Sequence, residues 1–201
     1  MTNWQAPAVM RHSYRMDIPT RAPAIICDVD GTLCDVRRIR HYVERPAGTQ
    51  RFRANFALFH STSEACPAFP QVSQLIRALA LDGYAIVVVT AREARWAQLT
   101  ERWLDQHDVG RVELITRHDL DYRPDAVVKA EICAEIQSRY DPRLAVDDRD
   151  DILAVWAGAA IPTLRVGEAG ALSEVMWPPA TQDDHLNAIV EEVRGTTRPS
   201  V

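Results

Sequence analysis

Ala24-Ile25-Ile26-Cys27-Asp28-Val29-Asp30-Gly31-Thr32 is the stretch that decides how this chain is read. Its first four residues are a continuous apolar run, the pattern of a strand buried on both faces of a parallel sheet. The run ends in two carboxylates two positions apart, and Gly31 lets the chain turn there. Open parallel sheets bind ligands beyond the C-terminal ends of their strands. Asp28 and Asp30 are therefore candidates for chemistry rather than for surface charge.

Four more runs have the same character. Residues 85–89 are β-branched and end at Thr90, and residues 112–115 form a third candidate strand. Residues 144–146 end at Asp147 and Asp148, and residues 163–166 make a weaker fifth. Helical patterns lie between them. Val72, Leu75, Ile76, Leu79 and Ala80 follow the spacing of one helix face. Trp96, Leu99, Trp103 and Leu104 nearly repeat it, and Val128, Ile132 and Ile136 recur after Pro124, a helix-start residue. Residues 150–156 and 186–193 read as short helices. Strands alternating with helices predict an α/β fold with a parallel sheet covered on both faces. Asp28, Asp30, Thr90, Asp147 and Asp148 then converge at one sheet edge.

Residues 34–69 break the alternation. They carry Arg37, Arg38, Arg40, Arg45, Arg51 and Arg53, followed by Phe52, Phe56, Phe59 and His60. This reads as an insertion over the mouth of the sheet. The expected division is a core of residues 20–33 and 70–170, a cap of 34–69 and a C-terminal extension of 171–201. Arginines there can pair with phosphates and aromatics can stack on bases. A solvated charged face is the plainer reading of the same residues.

The 201 residues suit one domain with a small insertion. Hydrophobic residues at 47% and charged residues at 25% exclude a disordered chain. With 23 basic against 28 acidic residues the formal charge is −5, which argues weakly against gripping long nucleic acid by charge alone. Cys27, Cys34, Cys66 and Cys133 show neither zinc-site nor disulfide spacing, so reduced thiols in a cytoplasmic protein are expected. Met1 to Thr20 has no apolar core of a signal peptide, and no run reaches membrane-span length. Residues 195–201 read as a frayed tail.

The polar set suggests phosphoryl chemistry. A carboxylate can attack phosphorus and form an aspartyl-phosphate, the role expected of Asp28. Asp30 would protonate the leaving alcohol and then activate water. Mg²⁺ would neutralise the charge, held by Asp28 and Asp147, with Asp148 as ligand or support and the Asp30 carbonyl as a further donor. Thr90 can donate to a phosphate oxygen, the amides after it can add more, and Lys129 supplies fixed positive charge. Taken singly, Thr90 reads as a helix cap, Lys129 as a solvated lysine and Asp147-Asp148 as a turn.

As an ordered set these residues resemble the haloacid dehalogenase (HAD) superfamily of phosphatases. The segment from Asp28 to Thr32 is similar to its first motif, Thr90 to the second, Lys129 to the third and Asp147-Asp148 to the fourth. The likeness covers about residues 22–168 and implies a Rossmann-like three-layer core, Mg²⁺ and an aspartyl-phosphate. Within the superfamily, residues 117–129 resemble the 3′-phosphatase domain of phage polynucleotide kinase/phosphatase. Arg117, Asp121, Arg123, Asp125 and Val127-Val128-Lys129 carry that match, with Ala145-Val146-Asp147-Asp148-Arg149 and Val155-Trp156. Gly83 to Arg92 is also similar, with Thr90-Ala91 where that enzyme has Ser-Gly. The resemblance makes Thr90, Ala91, Arg92, Arg117, Arg123 and Arg149 candidates for substrate binding or site ordering.

This sequence lacks the Gly-x-x-x-x-Gly-Lys-Ser/Thr loop of the 5′-kinase half, and its insertion is longer and richer in arginine. The expected activity is removal of 3′-phosphates from polynucleotide ends or nucleotides, a nucleic-acid repair reaction. A phosphatase for a small metabolite or mononucleotide is the alternative, and a catalytically silent binding module a third reading.

Overall fold

β1 (Ala22–Cys27) occupies the middle of the sheet in the computed structural model, which describes residues 21–196. It is followed by α1 (Phe56–Ser63), α2 (Pro70–Leu81), β2 (Ala85–Glu93), α3 (Ala97–Gln106) and β3 (Glu113–Arg117). Then come α4 (Asp125–Arg139), β4 (Tyr140–Asp147), α5 (Asp150–Gly158), β5 (Thr163–Val166), β6 (Leu172–Met176) and α6 (Asp184–Gly195). The six strands are ordered β3-β2-β1-β4-β5-β6. Every neighbouring pair is parallel except β5 with β6. The absence of a leader in residues 1–20 and most of the expected tail at 195–201 lie outside the described residues.

The apolar runs bury both faces because successive side chains point to opposite sides. Ile25, Cys27, Ile86, Val88, Leu144 and Val146 face one apolar cluster, which α2, Trp103 of α3 and Leu186 and Val190 of α6 complete. Ala24, Ile26, Val87, Val89 and Ala145 face the other, closed by Val128, Ile132 and Ile136 of α4 and Ile152 and Trp156 of α5. Helices on both faces give the three-layer α/β architecture expected from the alternation. Pro70 opens α2, where its missing N–H is harmless. Asp183 caps α6 by accepting from the Leu186 amide.

Two elements were not among the expected ones. β6 is an antiparallel edge strand in which only Leu172 and Val175 are buried, so it lacks the continuous apolar run of the inner strands. α1 lies within the 34–69 stretch, and the Asn55 side chain caps it by accepting from Leu58 N.

Residues 34–69 leave the sheet after Thr32 and return beside their own starting point. Asp35 N donates to Pro67 O and Phe69 N donates to Leu33 O, both at 2.9 Å. Cys34 and Ala68 form an antiparallel bridge in this neck. Val36, Ile39, Phe59, Cys66 and Phe69 pack into the same cluster as β1 and α2, so the segment is anchored to the core. Trp103 Nε1 donates to Cys66 O at 2.8 Å, tying α3 to the neck. Among the described residues, no helix is long and apolar enough to cross a membrane.

Candidate active site

Strand register assembles the site. Cys27 pairs with Val146 on one side and Val88 on the other, so Asp28 emerges between Asp147 and the end of the β2 apolar run. Asp28 N donates to Val146 O at 3.0 Å and fixes that exit. Gly31 then turns with φ +92°, a left-handed conformation. A Cβ at Gly31 would collide with the carboxylate of Asp148 and the guanidinium of Arg40. The glycine is required on both counts.

Lys129, from α4, is buried between two of these acids. Its Nζ donates to Asp28 Oδ1 at 2.7 Å and to Asp147 Oδ2 at 2.8 Å. Asp147 Oδ1 also accepts from Arg149 N at 3.1 Å. Asp148 Oδ2 accepts from Arg40 Nη2 at 2.8 Å, but its Oδ1 is buried with no partner. Ligand atoms of Asp28, Asp147 and Asp148 all lie within 4.8 Å of one another. Three carboxylates thus face two cations, Lys129 and Arg40.

Burial, and after it the neighbouring acids, shift the titration of this cluster. Burial raises the Asp28 pKa well above the carboxylate range, with Lys129 opposing and Asp147 and Asp148 adding to the rise. Burial and then Asp147 raise Asp148 as well. Burial works against the Lys129 charge, yet Asp28 and Asp147 hold its pKa above the usual lysine value. A hard divalent cation fits this set: all donors are oxygens, and the Asp148 Oδ1 atom lacks a partner. The Asp30 carboxylate lies outside the cluster.

Asp30 instead meets Arg92. Strand pairing between β2 and β3 slips between Thr90 and Glu93, a bulge that turns Arg92 inward. Arg92 is fully buried and makes a two-point contact with Asp30, and its Nη1 donates to Thr100 Oγ1 at 3.1 Å. Burial alone would raise the Asp30 pKa, but the Arg92 charge and hydrogen bonds bring it below the ordinary value. Thr90 is buried next to it, its hydroxyl oxygen accepting from Arg92 N at 3.2 Å.

A cavity of about 510 Å³ opens over these groups. Of the residues expected at the site, Asp28, Asp30, Thr90, Ala91, Arg92, Arg117, Arg123, Lys129, Asp148 and Arg149 all line it. Asp147 does not; it sits 1% exposed, behind Lys129. The arginines are committed to neighbours. Arg117 holds the loop after β3 by donating to Asp121 O at 2.9 Å and Arg123 O at 3.1 Å, and it pairs with Asp125. Arg123 pairs with Asp121 and Glu131, and Arg149 with Asp125 and Asp151. Of the six arginines in residues 37–53, only Arg40 lines the cavity. Sequence reasoning gave no separate role to Arg40, to His60 or to Tyr122, which also line it. The motif spacing carries no trace of the Arg40–Asp148 contact, which joins segments 108 positions apart.

The fold and the site have relatives. Chains in two structures of the Pnkp1/Rnl/Hen1 complex, one described as an RNA repair complex, are 26% identical with a TM-score of 0.62. The matches cover 75% and 73% of this chain, but only 47% and 43% of theirs, so this chain spans less than half their length. A class C acid phosphatase from Bacillus anthracis shares the fold at 12% identity and TM-score 0.51, covering 90% of this chain and 81% of its own. Residues 22–170 match the family described as the polynucleotide kinase PNKP phosphatase domain. On that match, which spans the five parallel strands and every residue of the carboxylate cluster, the chain belongs to the PNKP phosphatase-domain family, of the HAD type.

Proposed function

We propose that this protein is a Mg²⁺-dependent phosphomonoester hydrolase that works through an aspartyl-phosphate and removes 3′-phosphates from polynucleotide ends or nucleotides. The observation that carries the reading is the Lys129 bridge between Asp28 and Asp147, beside the unpartnered oxygen of Asp148. Asp28 attacks phosphorus. Lys129 keeps Asp28 aimed and offsets charge as the transition state forms. Thr90 accepts from Arg92 N, so its own hydroxyl hydrogen is left for a phosphate oxygen. Mg²⁺ held by Asp28, Asp147 and Asp148, with the Asp30 carbonyl as a further donor, supplies charge neutralisation when bound.

Asp30 handles the proton. Arg92 holds it ionised before substrate enters. A phosphate anion arriving beside it raises its proton affinity, so Asp30 gains a proton and passes it to the leaving oxygen. The carboxylate that results then takes a proton from the water that opens the phospho-enzyme.

Support for a polynucleotide end comes from the family match and from the mouth of the cavity. Tyr122 is 82% exposed and Phe56 57% exposed, and both line it, offering faces for base stacking. Residues 34–69 act as a cap on a core of 20–33 and 70–170, with 171–201 as an extension. The four unpaired, buried cysteines support a cytoplasmic setting. A small-metabolite phosphatase is the second reading, favoured by one observation: most of the cap arginines do not reach the cavity. A panel of 3′-phosphorylated oligonucleotides, 5′-phosphorylated oligonucleotides and sugar phosphates separates the two. Preference for the 3′-phosphorylated oligonucleotide is expected; preference for a sugar phosphate overturns the reading.

A further inference from the structure

α1 presents to the cavity one polar side chain that no step above uses. His60 lines the cavity, is 6% exposed, and its Nδ1 is buried with no hydrogen-bond partner. An unpartnered polar atom in such a place is costly, and a ligand group that reached it would relieve the cost. The ring is packed among aromatics, edge-on to Phe59 at 5.3 Å and 5.6 Å from Trp96 between centroids.

Its chemistry narrows the ligand. Burial pushes the imidazole pKa down to about 4, so the ring is neutral at physiological pH. A neutral imidazole has one donor and one acceptor and no charge. It suits a hydroxyl of the leaving alcohol better than the phosphate. Asp30 is the charged group that acts on His60 most strongly, ahead of Arg92. Under the reading above, Asp30 protonates the ester oxygen of that alcohol. Asp30 and His60 line one cavity and act on each other's charge, which sets His60 beside the carbons that flank the ester carbon; in a ribonucleoside 3′-phosphate one of these, C2′, bears a hydroxyl.

We propose that His60 is a specificity-determining residue: its ring nitrogen hydrogen-bonds the 2′-hydroxyl next to the scissile 3′-ester, favouring ribonucleotide ends over 2′-deoxy ends. The inference rests on the 3′-phosphatase reading. It concerns binding and transition-state positioning, and adds no bond-making step to the reaction.

The test compares kcat/KM for two oligonucleotides of one sequence, ending in a ribonucleoside 3′-phosphate or its 2′-deoxy counterpart, with a sugar phosphate alongside. One hydrogen bond is worth about tenfold, so the unaltered protein should favour the ribo end by about that factor. His60→Phe keeps the ring and removes both nitrogens, and its ratio should fall to near one. His60→Asn, which restores a polar atom close to Nδ1, should keep part of the preference. Reading a ratio within each variant cancels any loss of folded protein. Equal rates on the two ends, or an undiminished preference in His60→Phe, overturn this inference and leave the 3′-phosphatase reading standing. If both oligonucleotides are cleaved more slowly than the sugar phosphate, that reading fails and takes this inference with it.

Discussion

Arg92 donates to both oxygens of Asp30, from Nη2 to Oδ1 at 2.5 Å and from Nε to Oδ2 at 2.8 Å. The planar fork fixes the orientation of the carboxylate and its ionisation together. Lysine can supply the charge but not the second anchor. Arg92→Lys should therefore lower kcat by about 10²-fold, the lower end of what general acid–base groups contribute. Steady-state kinetics with circular dichroism as a folding control checks this; kcat unchanged from the parent would remove Asp30 orientation from the mechanism.

Asp28→Asn should remove turnover, by about 10⁴-fold or more, as loss of a covalent nucleophile does. The amide keeps the shape and can still meet Lys129, so the fold should persist. The same variant should leave no phosphate on the protein after acid quenching with ³²P-labelled substrate. Labelled Asp28→Asn protein would place the nucleophile elsewhere.

Chelation with EDTA should abolish activity, and added Mg²⁺ should restore it. Mg²⁺ should also raise the melting temperature as its concentration rises, because it binds the folded state alone. Asp148→Asn should raise the Mg²⁺ concentration needed for half-maximal activity by about 10- to 100-fold, the range seen when groups supporting a metal are lost. Activity at full strength in EDTA would refute the metal assignment.

Gly31→Ala should destabilise the protein. The left-handed conformation at φ +92° costs a non-glycine residue roughly 1–2 kcal/mol, and the added methyl displaces Asp148 and Arg40 as well. Urea denaturation should show the loss, and the Mg²⁺ requirement should rise in parallel. A variant as stable as the parent would contradict the geometry of the turn.

His60 makes stability depend on pH. The unfolded chain protonates this ring below about 6.5, whereas the folded chain does so only below about 4. Between those values the unfolded state binds more protons, so stability falls as pH drops from 6.5 to 4. The loss attributable to His60 is about 3 kcal/mol at most. Urea denaturation across that range should show a shallower fall for His60→Phe than for the parent protein.

The legible part of the fold was the part built on one-dimensional signals. Ala24 to Cys27 and Ala85 to Val89 read as inner strands because both of their faces are buried, leaving unbroken apolar runs. Asp28, Thr90 and Asp147 followed at once, since each sits where such a run stops. β6 escaped because an edge strand with only Leu172 and Val175 buried carries no apolar run. α1 escaped although Asn55 is a cap residue, because only Phe59, His60 and Ser63 of it are buried and no apolar stripe runs along it. The arginines were legible as residues but not as partners. Nothing in the spacing shows that Arg40 meets Asp148 across 108 positions, or that Arg92 reaches Asp30 across 62. Such pairs exist only once the sheet has closed.

The neck at Cys34 and Ala68 closes a 34–69 loop with its two ends side by side. Both ends of the 34–69 segment meet there, so the chain leaves and rejoins the core at one place. Entropy penalises a longer loop only slowly, by about 0.6 kcal/mol per doubling of length. The neck is therefore a place where a segment of another length could be joined, provided that it also replaces Arg40 beside Asp148. A graft must bring its own replacements for Val36, Ile39 and Phe59, which the core would otherwise lose.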